Sequence, residues 1–141
     1  MTKIKLQSGS AVAETLLIAL YARAQEARQP APLVRDARAA ALVELIDYDF
    51  ARTRLQSHDQ VFTMMRLREF DRRARDFLAR HPQAVVVHIG CGLDTRFERV
   101  AAGDVAVTWY DLDLPEVIAL RRQLIPESER CHLLGCSVFE E

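Results

Sequence analysis

The stretch that most constrains the fold runs from Ala84 to Pro115, AVVVHIGCGLDTRFERVAAGDVAVTWYDLDLP. It opens with an apolar run, Ala84 to Ile89, rich in β-branched residues and too short for a stable helix. That pattern predicts a buried strand. A glycine-rich turn follows, Gly90-Cys91-Gly92-Leu93-Asp94. Next come a helical stretch to about Ala102, a break at Gly103 and a second strand, Val105 to Tyr110. Two acids, Asp111 and Asp113, end that strand. Glycines let the backbone turn sharply and approach a ligand closely, because no Cβ intrudes. The helix start presents free N–H groups beside the turn.

Strand, glycine turn, helix, strand and terminal acid form the nucleotide half of a Rossmann-like unit. A dinucleotide fingerprint needs a third glycine three residues after Gly92, where this chain has Thr95. That weakens the case for an NAD or FAD module. A G-x-G-x-D turn with an acid about 20 residues later suits S-adenosylmethionine better, because a methionine moiety needs no pyrophosphate cradle. Asp111 and Asp113 point to one side of the strand, two residues apart. One is expected on a ribose diol and the other on a nearby backbone group or cation. Asp113, just before Leu114-Pro115, is the expected ribose ligand; the plainer alternative is that it only caps the next helix.

Half of the 141 residues are hydrophobic and 28% are charged, ordinary for a single domain with a real core. The net charge of −1 gives no electrostatic footprint for nucleic acid or an anionic membrane. No apolar run is long enough to span a bilayer, and Met1-Thr2-Lys3-Ile4-Lys5 leads into no signal-peptide core. The three cysteines, Cys91, Cys131 and Cys136, lack metal-ligand spacing and are expected as small buried hydrophobes. No metal site is expected, and a reducing cytoplasmic setting fits.

Before the glycine turn the chain reads as helical. One helix is expected over 10–28, with Val12, Leu16, Leu17, Leu20 and Ala24 on one face, ended by Pro30 and Pro32. Asp36 is the expected N-cap of a second helix, Ala37 to about Tyr48, with Ala40, Val43 and Ile46 apolar. Asp49 to Ser57 is polar and expected to be irregular. A third helix, about His58 to Arg80, carries a stripe of Met64, Leu67, Phe70, Ala74, Phe77 and Leu78. Arg66 flanks that stripe beside Phe70 and can reach a ligand carboxylate bidentately, or else form ordinary surface pairs; Arg68 faces solvent. After the second strand, Pro115 is expected at a helix start with Glu116 to about Leu124 as that helix, and Cys131 to Cys136 as a third short strand. His88, inside the first strand, is expected as a hydrogen-bonded core residue rather than a catalyst. Residues 1–82 thus read as a helical layer or lid, and 83–141 as a β-α-β-α-β half-sheet.

The blocks VVVHIGCGLDTRFER and WYDLDLPEVIALRR closely resemble the leucine carboxyl methyltransferase family, in particular its bacterial branch related to polyketide O-methyltransferases. ETLLIALYARA, DARAAALVELIDYDF and RLREFD resemble the same branch, in the expected order. The resemblance implies an α/β, Rossmann-like class I methyltransferase fold. It implies S-adenosyl-L-methionine as donor, S-adenosyl-L-homocysteine as product, and a carboxylate or hydroxyl as acceptor. It places Gly90, Cys91 and Gly92 in the cofactor loop, Asp113 on the ribose, Arg66 on the methionine carboxylate, and Ser137 and Val138 against the adenine. Cys91 stands where a smaller alanine is expected, and Ser137 where many methyltransferases have an acid. The chain carries about three of the fold's parallel strands and reads as a truncated product or fragment. Its first strand then has an open edge, which invites a homo-oligomer. Little or no methyl transfer is expected from this chain alone. A non-catalytic interaction piece is the other alternative.

Overall fold

A computed structural model describes residues 3–5, 11–53, 57–101, 103 and 106–139. The side chain of Val12 and the whole of Val105, both named above, lie outside the described residues. The chain divides into two units, Met1–Arg72 and Arg73–Glu141, and the division falls inside a long helix.

The first unit begins with β1 (Ile4–Lys5), α1 (Ala11–Ala27) and α2 (Ala37–Leu45). It continues with β2 (Ile46–Asp47), a 3-10 turn (Phe50–Arg52) and the start of α3 (Ser57–Arg80). Leu17, Leu20 and Ala24 of α1 are buried, as their spacing requires. The expected N-cap holds: Asp36 Oδ1 accepts from Ala39 N at 2.9 Å. Its other oxygen takes Arg23 Nε at 3.0 Å, with both side chains buried. Glu26 accepts from Leu33 N at 2.5 Å, which fixes the proline-rich turn between α1 and α2.

Two expectations shift here. The second helix stops at Leu45 instead of Tyr48, because Ile46 and Asp47 leave it to pair in parallel with Ile4 and Lys5. Its buried face is Ala39, Leu42 and Val43, so the half-buried Ala40 lies beside that face and Ile46 is buried from a strand. In α3, Met64 packs in a core with Ala22 and Val34, and Leu67 lies against it. Phe70 and Phe77 are 54% and 44% exposed, against expectation. At ~100° per residue they fall roughly 120° and 140° around the helix from Met64, beyond the edge of a buried stripe.

The second unit is a parallel sheet in the order β3-β4-β5, made of Val85–Ile89, Thr108–Asp113 and Cys131–Gly135. α4 (Arg96–Val100) joins the first pair and α5 (Pro115–Leu124) the second. This is the expected β-α-β-α-β half-sheet. Leu78, Val100, Ala101, Val107, Trp109 and Cys131 form its main core, and Ile118 of α5 packs with Cys91 and Leu133. A Cβ on Gly135 would lie 3.3 Å from Pro115 Cα, a tight contact where α5 begins.

The strands also correct the sequence reading. β4 starts at Thr108 and runs through Asp113, so both acids lie inside the strand rather than beyond it. The register sets this: Val85 to Ile89 pair with Thr108 to Leu112, and Asp113 pairs with Gly135. α4 ends at Val100, short of Ala102. β3 is not buried on both faces. Val86 packs toward the core, whereas Val85, Val87 and Ile89 are half or more exposed. Within this unit Trp109, Cys131 and Leu133 are the strand residues that pack in the buried clusters.

Asp36 both caps α2 and neutralises Arg23. Asp36→Ala removes the cap and leaves a buried guanidinium unpaired, which costs about 3 kcal/mol or more. Urea unfolding followed by circular dichroism measures the loss; a change below ~1 kcal/mol contradicts the assignment.

Candidate functional site

The carboxyl ends of the three parallel strands converge where β3 passes into the glycine turn. Gly90 and Gly92 adopt φ of +66° and +50°, the left-handed region that disfavours any side chain. Gly90 N and Cys91 N both donate to Leu112 O, at 2.8 and 3.2 Å, and tie the turn to the end of β4. Asp94 N closes it on Cys91 O at 2.9 Å. Cys91, Gly92 and Leu93 are buried and Gly90 is exposed. A Cβ built on Gly90 meets nothing within 4 Å, so bare backbone faces open space there.

The two acids of β4 have different surroundings. Asp111 is 0% exposed. Its Oδ1 accepts from Trp109 Nε1 at 2.9 Å and from His88 Nδ1 at 3.1 Å. Its Oδ2 accepts from an Arg121 guanidinium nitrogen and, at 3.6 Å, from Cys131 Sγ. A carboxylate offers about four lone-pair sites, and these donors use them all. Burial opposes ionisation of Asp111, but the His88 hydrogen bond, the Arg121 charge and the Trp109 hydrogen bond outweigh it. They hold its carboxyl below the ordinary value of 3.8.

Asp113 is half-buried and accepts two backbone bonds, from Gly92 N to Oδ2 at 2.7 Å and from Leu114 N to Oδ1 at 2.8 Å. One lone-pair site remains on each oxygen, a bidentate acceptor pair suited to a vicinal diol. Leu114 N precedes α5, and no side chain caps that helix by hydrogen bonding. Asp111 thus sits on a cation, and Asp113 is held by backbone N–H groups.

A second polar layer braces the turn from β3 and α4. Arg96 donates to His88 Nε2 at 3.3 Å, so in the neutral ring Nδ1 carries the proton given to Asp111. Arg99 pairs with Asp94 at 2.7 Å and donates to Thr95 Oγ1 at 3.0 Å. Thr95, at the place of the absent third glycine, is buried. His88 is thus the hydrogen-bonded core residue its position predicts.

Beyond β5, Cys136 N donates to Asp113 O at 3.0 Å and holds the following turn beside the second acid. Ser137 and Val138 lie in that segment; Ser137 Oγ accepts from Phe139 N at 3.2 Å, and Val138 is exposed. The structure therefore gathers Gly90, Cys91, Gly92, Asp113, Ser137 and Val138 at one end of the sheet. Arg66 is an exposed residue of α3 in the first unit. Burial pushes the Cys91 and Cys131 thiols up to about 12, as expected for small core residues. Cys136 departs from that expectation and is exposed, because β5 ends at Gly135. Among the described residues no cluster of three or more metal-ligating side chains forms, and no helix is long and apolar enough to cross a membrane.

Arg121 was not singled out by the sequence, yet it is 1% exposed and joins Asp111 to the turn. One guanidinium nitrogen holds Asp111, and the other donates to Gly92 O at 2.9 Å. The signal was present: Arg121 continues the buried face of α5 formed by Val117, Ile118 and Leu124. An arginine on an apolar helix stripe requires a buried carboxylate opposite.

The sequence matches the family described as leucine carboxyl methyltransferase over residues 16–132. It is 47% identical over 130 residues to the tetracenomycin polyketide synthesis O-methyltransferase TcmP of Streptomyces glaucescens, covering 92% of this chain and 48% of the relative. It is 38% identical over 122 residues to the S-adenosyl-L-methionine-dependent methyltransferase dpfgK of Gibberella zeae, covering 81% and 41% respectively. The chain spans about half the length of the curated relatives it matches.

Two measurements check this geometry. In the folded protein Cys136 reacts with a thiol reagent at pH 8, whereas Cys91 and Cys131 react only on unfolding; equal rates for all three contradict it. The lowered carboxyl of Asp111 contributes stability that is full above its unfolded value of about 4 and is lost as pH falls through the folded value. Stability measured from pH 5 to 2 therefore falls less in Asp111→Asn, already destabilised at pH 5, than in the parent.

Proposed function

The chain belongs to the leucine carboxyl methyltransferase family, and from that premise we propose that its protein is an S-adenosyl-L-methionine-dependent O-methyltransferase. The acceptor is a carboxylate or hydroxyl of a small molecule, and the product of the donor is S-adenosyl-L-homocysteine. The single observation that carries the reading is Asp113. It is oriented by Gly92 N and Leu114 N, and each oxygen keeps one acceptor site beside an open glycine turn.

The residues present fit the donor. Asp113 receives the ribose hydroxyls, and the turn Gly90-Cys91-Gly92 lines the donor, with the exposed Gly90 offering backbone without a Cβ in the way. Ser137 and Val138 flank the adenine. The family resemblance offers Arg66 of the first unit for the methionine carboxylate, since a guanidinium fork matches a carboxylate. When bound, the donor supplies an electrophilic methyl on a sulfonium, taken in line by the acceptor oxygen. The share of catalysis that falls to these residues is positioning. Donor and small-molecule acceptor are the partners proposed; a net charge of −1 gives no reason to add nucleic acid. The setting proposed is cytoplasmic, consistent with free thiols at all three cysteines.

Among the described strands β3 pairs with β4 alone, on one of its two edges. Produced by itself, this chain forms a homo-oligomer across the other edge. Light scattering tests this, and a monomeric mass at micromolar concentration overturns it. Calorimetric titration tests the donor site. S-adenosylhomocysteine binds, Asp113→Ala weakens it at least tenfold, and NAD⁺ gives no comparable heat. Equal binding of NAD⁺, or indifference to Asp113→Ala, contradicts the proposal.

A further inference from the structure

The donor site as proposed rests on a turn whose conformation has to be held from within. Gly92 is fixed on both sides of its α-carbon. Its N–H goes to Asp113 Oδ2 at 2.7 Å, and its carbonyl takes Arg121 at 2.9 Å. Without the second bond the Gly92 carbonyl loses this anchor, at a residue type that accepts a wide range of backbone angles. The Asp113 bond would then lose its direction. The other arm of the same guanidinium lies on Asp111, whose remaining donors come from β3, β4 and β5 through His88, Trp109 and Cys131. One buried side chain therefore ties the turn to all three strands.

We infer that Arg121 is a positioning residue for donor binding: its planar fork holds the Gly92 carbonyl on the Asp111 carboxylate and so keeps Asp113 aimed at the ribose. The inference rests on the donor reading of the site and adds a residue to it. Two features favour positioning over a merely structural ion pair. The guanidinium bridges two groups, Asp111 and the Gly92 carbonyl, so it does more than balance the Asp111 charge. The Arg121 Nε is buried without a partner among the described residues. Orphaned donors are rare in cores, and here the fork is oriented for the carbonyl and the carboxylate at the expense of the third nitrogen. Lysine cannot replace that geometry, because it offers a point charge in place of a flat fork.

The test uses the full chain with Arg121→Lys and with the charge-neutral double variant Arg121→Met/Asp111→Asn, which leaves no unpaired charge if the lysine form fails to fold. Two quantities are read: affinity for S-adenosylhomocysteine, and alkylation of Cys91 and Cys131 located by peptide mapping. Cys91 lies inside the turn and Cys131 in the sheet, so a loosened turn exposes Cys91 alone, whereas an opened sheet exposes both. Positioning predicts Cys91 alkylation at least tenfold faster, Cys131 unchanged, and affinity at least tenfold weaker in the folded variant. Parent-like protection of Cys91, joint exposure of both thiols, or affinity within twofold of the parent overturns it. If the parent itself does not bind S-adenosylhomocysteine, the donor reading fails, and the alkylation pattern still decides whether Arg121 holds the turn.

Discussion

A carboxylate with no exposed surface, set within a parallel sheet, stays charged only if its lone pairs are met by donors. Asp111 meets that condition with Trp109 from its own strand, His88 from β3, Cys131 from β5 and Arg121 from α5. Breaking such a pair by removing one partner costs about 3–5 kcal/mol, because the remaining charge is buried alone. The bonds also fix register. His88 and Asp111 are direct partners across β3 and β4, and a slip of one strand by one residue would put them on opposite faces. The arrangement of strands, the seat of α5 and the shape of the glycine turn all follow from satisfying this one group.

Asp113 differs from Asp111 by two residues and a partner set. Both acids project to the same side of β4, but β4 reaches its end at Asp113, where backbone N–H groups from the turn and from the start of α5 replace side chains. The inner acid has all its lone pairs met by side chains, and the outer acid, half-buried, is held by backbone N–H groups. Two acids in tandem at a strand end thus differ in their partners, and the proposed donor site rests on the outer one.

Much of this was legible in the chain itself. The strand–glycine turn–helix–strand pattern located the half-sheet, the two glycines with positive φ and the helix starting at Pro115, because each depends on local stereochemistry. Elements whose limits depend on distant partners were less legible. The end of α2 moved because Ile46 pairs with Ile4, and β4 shifted because its register is set by β3. Phe70 and Phe77 share the helical period of their stripe but lie at its flank, a distinction that depends on how wide a face the neighbours cover. Arg121 escaped notice for a similar reason. Its place on the apolar face of α5 was legible, but the groups it meets, Asp111 and a carbonyl 29 residues earlier, are set by the fold.

The most direct test of the account is a crystal structure of this chain with S-adenosylhomocysteine. The account predicts both ribose hydroxyls on the Asp113 carboxylate, with the Gly90–Gly92 backbone alongside the ligand and Asp111 still bound to Arg121. A ligand whose ribose lies away from Asp113, or one that draws Asp111 off Arg121, would contradict it.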